Sequence, residues 1–212
     1  MSYGFLDTLD TPGVRAAQTE NGVRGMWEHH GRERPNDRFT ERETAFMAQR
    51  DSFYVATVSE SGWPYVQHRG GPPGFLKVLD DQTLAFADFR GNRQYLSLGN
   101  LSANDRVALI MVDYPHQRRL KILAHAQLRD LRDDPALAEK LALPGYRALP
   151  ERAIVLRLQA FDWNCPQHIT PRYTLDDIKT AVAPLHARIE ALEAELQALR
   201  EQQTASDGGG FA

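Results

Sequence analysis

Residues 84–101 read LAFADFRGNRQYLSLGNL, and the rest of the chain is organised around this segment. It opens on an alternating strand, breaks at residues 88–92 and resumes as a short helix predicted over residues 93–98, with Asn92 as its cap. A strand, a glycine-containing loop and a helix N-terminus gather unpaired backbone N–H groups at one point, which favours an anion there. Arg90 and Arg93 add forked cationic donors suited to a phosphate. The alternative is an ordinary strand–turn–helix with solvated arginines.

Composition narrows the class of protein. The 212 residues are 42% hydrophobic and 25% charged, which is typical of a globular chain, and a net charge of −3 does not favour nucleic acid as a partner. The single cysteine, Cys165, excludes an intrachain disulfide and fits a reducing compartment. The N-terminal residues lack the apolar core of a secretion signal, and no apolar segment approaches the roughly 20 residues that span a bilayer. We therefore expect a cytoplasmic protein without a membrane partner.

The centre of the chain reads as short strands joined mostly by tight turns. Seven strands are predicted, over residues 52–58, 63–69, 75–79, 83–87, 106–112, 121–128 and 153–161. Helices are predicted over residues 41–50, from a capping box at Thr40 and Glu43, and over residues 134–141, with Pro135 at the first helical position. Such a series favours a mainly β fold, an antiparallel barrel with peripheral helices, because closing the sheet removes exposed edges.

Both ends of the chain differ from this centre. Residues 1–39 are polar and predict an irregular N-terminal arm with one short helix. Residues 171–203 predict a C-terminal extension of two helices, the second beginning at Pro184, and residues 204–212 a frayed tail. Apolar residues at spacings of four, three, four and three form a heptad seam: Leu185, Ile189, Leu192, Leu196 and Leu199. The seam predicts pairing with a second copy of the helix or packing on the barrel.

No nucleophile–base motif is visible in the sequence, so any chemistry points to a bound cofactor. Cys165 and His168 form a lone C-x-x-H without two further zinc ligands nearby, which favours a buried cysteine over a zinc site or a catalytic thiolate. His29 and His30 are adjacent, so their side chains point apart and favour surface histidines over a metal pair.

Several segments occur in an order and spacing known from one family. These are YVATV at 54–58, GWP at 62–64, GFLKV at 74–78 and DFRGNR at 88–93. They resemble the pyridoxamine 5′-phosphate oxidase-like, FMN-binding split-barrel flavoproteins. NCPQHI at 164–169, after Phe161 and Trp163, is similar to the C-terminal motif of one branch of that family. The resemblance covers the central domain, residues 40–170.

The resemblance implies a six-stranded split barrel that forms a homodimer with FMN at the interface. The positions that it implies for phosphate binding are Arg69, Lys77, Asn92 and Arg93. Those that it implies beside the ribityl chain and ring are His68, Gly70, Asp88 and Phe89. The second chain is implied to supply Arg119 and Lys121. The residues implied to close the ring pocket are Trp163, Asn164, Gln167 and His168.

The leading functional hypothesis is an FMN-dependent oxidoreductase that acts on an unidentified small molecule, with NADH or NADPH as a candidate electron donor. Residues 72–74 read PPG where pyridoxamine phosphate oxidases proper carry the first half of an Arg-x-Val-Leu-Leu-Lys strand, so FMN is favoured more than vitamin B6 oxidation. The alternative is a non-enzymatic dimeric flavin or haem binder, a sensor or carrier, with His116, His125 or His168 as an axial ligand. A coiled-coil interaction module is a third hypothesis.

Overall fold

The predicted strands are all present, and their ends differ from the prediction by at most three residues. The structure is a computed structural model that describes residues 4–27, 36–163 and 167–207, with side chains described as far as residue 203. It divides into two units, residues 1–169 and residues 170–212. The strands are β1 Ser52–Val58, β2 Pro64–Gly70, β3 Lys77–Asp80, β4 Thr83–Phe89, β5 Arg106–Asp113, β6 Arg118–Arg129 and β7 Pro150–Trp163.

These strands form one antiparallel sheet in the order β2-β1-β5-β6-β7-β4-β3. The sheet curls on itself, because Phe53 of β1 lies edge-on to Phe86 of β4 at 5.2 Å although three strands separate them in this order. Phe53 also stacks on Phe75 at 5.5 Å. The inward-facing apolar residues of the strands form the main core inside this curl. The fold is thus a mainly antiparallel split barrel, as predicted, with seven strands in the sheet where the family resemblance implies six.

Seven helices lie among the described residues. They are α1 Phe5–Leu9, α2 Pro12–Glu20, α3 Arg24–Trp27, α4 Glu41–Ala48, α5 Leu96–Ala103, α6 Pro135–Leu141 and α7 Leu175–Asp207. The predicted capping box is present at α4, where the Thr40 N–H donates to Glu43 at 3.0 Å. At α6 the Leu137 N–H donates to the Asp134 carboxylate at 2.9 Å. None of the helices in the described ranges is both long and apolar enough to cross a membrane.

The helix predicted over residues 93–98 begins three residues later, and Asn92 does not cap it. The Asn92 side-chain oxygen instead accepts a hydrogen bond from the Gln94 N–H at 3.1 Å, which closes a local turn. Arg93 and Tyr95 both adopt left-handed backbone angles, with φ of 61° and 52°. The helix starts only after Tyr95, because a residue in that conformation cannot continue a right-handed helix.

The N-terminal arm is more helical than predicted, since residues 4–27 contain three helices instead of one. Helix α1 contacts β7. Phe5 of α1 is buried, and the Lys121 ammonium lies 4.8 Å from the centre of its ring. The arm therefore begins on the barrel. His29 and His30 lie outside the described residues.

The C-terminal extension is one helix, and the prediction of two was wrong. Thr174 caps α7, with its hydroxyl accepting from the Asp177 N–H at 3.1 Å. Pro184 lies inside α7 instead of starting a second helix. An internal proline removes one backbone hydrogen bond and its ring crowds the preceding turn, but good helix formers surround Pro184 and the helix continues through it. The helix also runs to Asp207, into the predicted tail, whose last five residues lie outside the described part.

Candidate functional site

The loop after β4 borders a cavity of about 200 Å³ on the barrel wall. Residues 91–98, from that loop and the start of α5, form one side. The other side comes from β2, the end of β4 and β7, with Tyr65, Gln67, Arg69, Asp88, Phe89 and Glu151. The cavity therefore lies where the sequence predicts an anion pocket.

The pleat of β2 decides which of its side chains reach the cavity. Tyr65, Gln67 and Arg69 alternate along the strand and share one face, since successive side chains point to opposite faces. The Ser97 hydroxyl donates to the Gln67 side-chain oxygen at 2.7 Å. This bond ties the first turn of α5 to β2 and fixes the width of the cavity.

A buried carboxylate lies at the base of the cavity. Asp88 is 8% exposed and accepts from Arg69 Nη1 at 2.6 Å and from Arg152 Nη1 at 3.1 Å. The Arg69 side chain is also largely buried. Its Nε is fully buried and finds no hydrogen-bond partner among the described residues. An unmet buried donor is costly, so this N–H favours an acceptor from outside the chain.

A second carboxylate lies at the rim. Glu151 accepts from Arg90 Nε at 3.0 Å and from the Tyr95 hydroxyl at 3.2 Å, and Arg152 approaches it at 3.4 Å. The hydrogen bond from Arg90 is the main reason that the pKa of Glu151 lies below its ordinary value, with Tyr95 and Arg152 adding to the effect. Glu151 is thus a carboxylate at neutral pH and does not supply a proton.

The charges around the cavity do not cancel. Four arginines, at positions 69, 90, 93 and 152, surround the carboxylates of Asp88 and Glu151. These six side chains carry two more positive charges than negative ones; of the arginines, Arg69 and Arg93 line the cavity itself, and the charge of Asp130 also acts on Arg152. No ion pair of Arg93 is found within the described ranges. A phosphate monoester carries a charge of about −1.5 to −2 near pH 7, which matches the surplus.

Comparison with known proteins gives the family. A family model for pyridoxamine 5′-phosphate oxidase matches residues 39–160, which is more than half of the chain. The chain belongs to the pyridoxamine 5′-phosphate oxidase family. No curated protein sequence matches the chain significantly.

Solved structures of other proteins are similar to part of this chain. One is a protein from Lactobacillus delbrueckii described as a pyridoxamine 5′-phosphate oxidase, at 24% identity over 59% of this chain and 94% of that chain, with a TM-score of 0.45. A second is a protein from Clostridium acetobutylicum related to general stress protein 26, at 15% identity over 65% and 94%, with a TM-score of 0.44. A third is a FAD-binding protein from Mycobacterium smegmatis, at 13% identity over 60% and 95%, with a TM-score of 0.40.

Of the residues that the family resemblance implies for cofactor binding, the cavity brings five together. They are Arg69, Asp88, Phe89, Asn92 and Arg93. The structure adds polar groups to them that the sequence reading missed: Tyr65, Gln67, Gln94, Tyr95, Ser97, Glu151 and Arg152. For β2 the missed signal was the period of two, which places Tyr65 and Gln67 on the face of Arg69. Glu151 and Arg152 lie about 60 residues away in sequence, and only strand pairing with β4 brings them close.

Three other residues that the family resemblance implies for cofactor binding, two on β2 and one on β3, lie elsewhere on the barrel. His68 points to the opposite face of β2, with its ring 5.4 Å from that of Tyr54 on β1. Gly70 ends β2 opposite Ser52, and Lys77 begins β3 opposite Ala85 of β4. Within one chain these three residues do not line the cavity, and their role toward a cofactor stays a prediction.

The residues that the family resemblance implies on β6, at the end of β7 and just after it also do not line the cavity of their own chain. Lys121 pairs with Asp162 at 2.9 Å, and Arg119 lies on the same face of β6. The Trp163 indole N–H donates to Glu43 at 2.6 Å. Gln167 and His168 lie exposed in a turn, and Asn164 and Cys165 are outside the described residues. Their contribution across an interface stays a prediction.

Two of the three histidines named as axial ligands for the haem alternative contact carboxylates of the chain. His116 contacts the Asp113 carboxylate at 3.0 Å, and His125 contacts Asp105 at 3.0 Å. Burial acts to raise the pKa of Asp113, but hydrogen bonds from His116 and the charge of Arg50 hold it below its ordinary value. Among the described residues, no three His, Cys, Asp or Glu side chains cluster closely enough to hold a metal ion.

A second, larger cavity lies on the outer face of the sheet. It has a volume of about 660 Å³ and is lined mainly by apolar residues of β1, β5 and β6, with α1 along one side. The neighbouring outer face of β1 and β2 is also apolar and exposed, with Tyr54 43% and Val66 60% accessible. A contiguous apolar surface of this kind is typical of an interaction site.

Proposed function

We propose that the protein is an FMN-binding flavoprotein, an FMN-dependent oxidoreductase acting on a small molecule, whose cofactor phosphate binds in the cavity after β4. The observation that carries this proposal is the cluster of four arginines and two carboxylates at the cavity, together with the unmet N–H of Arg69. Membership of the pyridoxamine 5′-phosphate oxidase family supports it. The choice of FMN over other flavins is itself part of this proposal.

The residues of the cavity fit a phosphate monoester. Arg93 supplies a guanidinium that no described carboxylate neutralises, and Arg69 supplies its buried N–H. The Asn92 side-chain amide adds a neutral donor at the same wall, since only one of its two N–H groups is taken up by Gln94. Charge-assisted hydrogen bonds to phosphate are about twice as strong as neutral ones, so the two arginines provide most of the affinity.

The flavin, when bound, supplies the transfer of a hydride or of electrons. The chain's own contribution is to bind and orient it. Asp88 holds the Arg69 guanidinium in place, and the Ser97–Gln67 hydrogen bond holds the start of α5 against β2. Glu151 orients Arg90 and Tyr95 at the rim. These contacts pre-organise the donors, which lowers the cost of ordering them on binding.

We further propose that the binding site is completed by a second copy of the chain. The cavity of about 200 Å³ is smaller than the roughly 300–1,000 Å³ typical of ligand pockets, so one barrel encloses only part of a flavin. The exposed apolar face around Tyr54 and Val66 provides a surface on which two barrels can pair. In this arrangement Arg119 and Lys121 of the second chain approach the first chain's cofactor.

The direct test is the absorbance spectrum of the purified full-length chain, followed by identification of any flavin released on denaturation and by light scattering for mass. A yellow dimer that releases FMN supports the proposal. Colourless protein that takes up neither FMN nor another phosphorylated flavin refutes it. A monomer that binds FMN at full affinity removes the shared site but keeps the cofactor.

A carrier or sensor that binds flavin without turnover is the second candidate. It is favoured by one observation, that both carboxylates of the cavity are engaged by arginines and offer no proton donor. Mixing the flavin-loaded protein with NADH or NADPH under anaerobic conditions separates the two functions. Bleaching at rates useful for turnover supports the enzyme, and a flavin that no tested nucleotide reduces supports the carrier. A Soret band instead of a flavin spectrum would favour the haem alternative.

A further inference from the structure

Helix α7 exposes a continuous apolar seam. Its side chains are between 45% and 62% exposed: Leu185, Ile189, Leu192, Leu196 and Leu199. Because the helix is continuous from residue 175, the same spacing extends the seam backwards through Val182 to Ile178. Seven apolar layers at alternating steps of four and three residues require a partner surface with the same periodicity.

The residue types along the seam specify the form of pairing. In heptad notation, Val182, Ile189 and Leu196 occupy a positions, and Ile178, Leu185, Leu192 and Leu199 occupy d positions. β-Branched residues therefore fill two of the three a positions and leucine three of the four d positions, a pattern that favours two parallel strands over three or four.

The charges that flank the seam complement a parallel copy. In a parallel pair each g position faces the e position five residues further along the other helix. Arg188 then faces Glu193 of the second copy, and Glu195 faces Arg200. No like-charged pair arises at the g and e positions. The antiparallel alignment that matches the same layers places Lys179 opposite Arg200, which is repulsive.

Pro184 does not interrupt this surface. It occupies a c position, on the side of α7 away from the seam, and the helix runs through it without a break. The side chains on that outer face are mostly short, and Gln197 donates to Glu201 one turn later at 2.7 Å. The polar and alanine-rich outer face fits solvent, and the apolar face fits a partner.

We propose that α7 forms a parallel two-stranded coiled coil with α7 of a second copy of this chain. Most of the stability of a helix in a protein comes from packing its apolar face, and pairing supplies that burial for the exposed seam of α7. The proposal does not depend on flavin binding. Any interface between the barrels would assist it by raising the effective concentration of the two helices.

Single-cysteine cross-linking of the full chain tests the pairing and its direction. In a Cys165→Ser background, Ile178→Cys and Leu199→Cys are oxidised separately and then as a mixture, because these two layers face each other in the antiparallel alignment. The two positions lie about 32 Å apart along the helix. A parallel pair predicts that each variant alone forms a covalent dimer, because each residue meets its own copy. Ala194→Cys, at an outward f position, is the matched control and should cross-link at least about tenfold less.

Other outcomes overturn the proposal. Cross-linking only in the mixture would mean that the helices run antiparallel. Absence of cross-linking at both seam positions, or equal cross-linking at residue 194, would mean that the seam packs elsewhere, for example on its own chain. A charge exchange gives an independent readout of register by analytical ultracentrifugation. Arg188→Glu should weaken dimerisation of the full chain, and adding Glu193→Arg should restore it. If the two residues only supported the helix of their own chain, the second substitution would not restore the dimer.

Discussion

Replacing Arg93 by alanine tests the phosphate pocket most directly. Arg93 lines the cavity, and no ion pair ties it to the described residues, so its removal leaves no buried charge unpaired. Its backbone is left-handed, with φ of 61°, and alanine meets the same backbone constraint as arginine, so the change in folding free energy should be small. One hydrogen bond to a charged group contributes about 1.5–3 kcal/mol. At 1.4 kcal/mol per tenfold change in affinity, the Kd for FMN should rise about 10- to 150-fold.

The assay is a fluorescence titration of the flavin-free protein with FMN, repeated with riboflavin. Because riboflavin lacks the phosphate, the loss on Arg93→Ala should appear with FMN and not with riboflavin. Arg90→Ala is the matched control, since it removes the same charge from the same loop but from a side chain that pairs with Glu151 at the rim. It should cost clearly less affinity. Unchanged FMN binding by Arg93→Ala, or equal losses for the two variants, would refute the assignment of the phosphate to this cavity.

Three further predictions concern stability. Asp113→Asn should lower the free energy of unfolding by about 3 kcal/mol at neutral pH, since it leaves the largely buried Arg50 guanidinium without its partner at 3.3 Å. Because the folded-state pKa of Asp113 is lowered, this deficit should shrink as the pH falls below about 4. A deficit that does not change with pH in urea titrations would contradict the ion pair. Thr40→Ala removes the N-cap of α4 and should cost about 1 kcal/mol in the same titrations, whereas Thr40→Ser should cost little. Gly71→Ala should destabilise the fold by about 1–3 kcal/mol, because the added methyl would lie 2.8 Å from the buried Phe75; a neutral effect in thermal unfolding would mean that this ring can move aside.

The sequence predicts the barrel well because its strands carry two independent signals. β5 alternates buried and exposed residues along its length, and short turns separate most of the other strands. The turn before β2 is an example, where Gly62 takes φ of 84° and its N–H donates to the Ser59 carbonyl at 2.9 Å. Strand existence follows from such local patterns. The order β2-β1-β5-β6-β7-β4-β3 does not, because pairing between strands far apart in sequence depends on the whole core.

The cavity was predicted in place but not in detail. The segment after β4 indicates an anion pocket through its glycine and arginines, and the structure places a cavity there. The backbone of that segment differs from the prediction because Asn92 closes its own turn instead of capping a helix. The partners of Arg69 and Arg90 could not be read locally, since Asp88 and Glu151 reach them only through tertiary structure.

The arrangement of charges explains how such a cavity can persist before a ligand binds. Four arginines in close proximity would repel one another, and a folded chain would lose stability by holding them together. Asp88 and Glu151 offset two of these charges. Each carboxylate contacts two of the arginines, so ion pairs connect neighbouring arginines as well as neutralising them. Arg93, for which no ion pair is found among the described residues, is then available to a ligand without breaking these contacts. A dianionic phosphate adds negative charge that the two carboxylates do not supply. The cavity's selectivity for phosphorylated over unphosphorylated flavin should therefore follow from charge more than from shape.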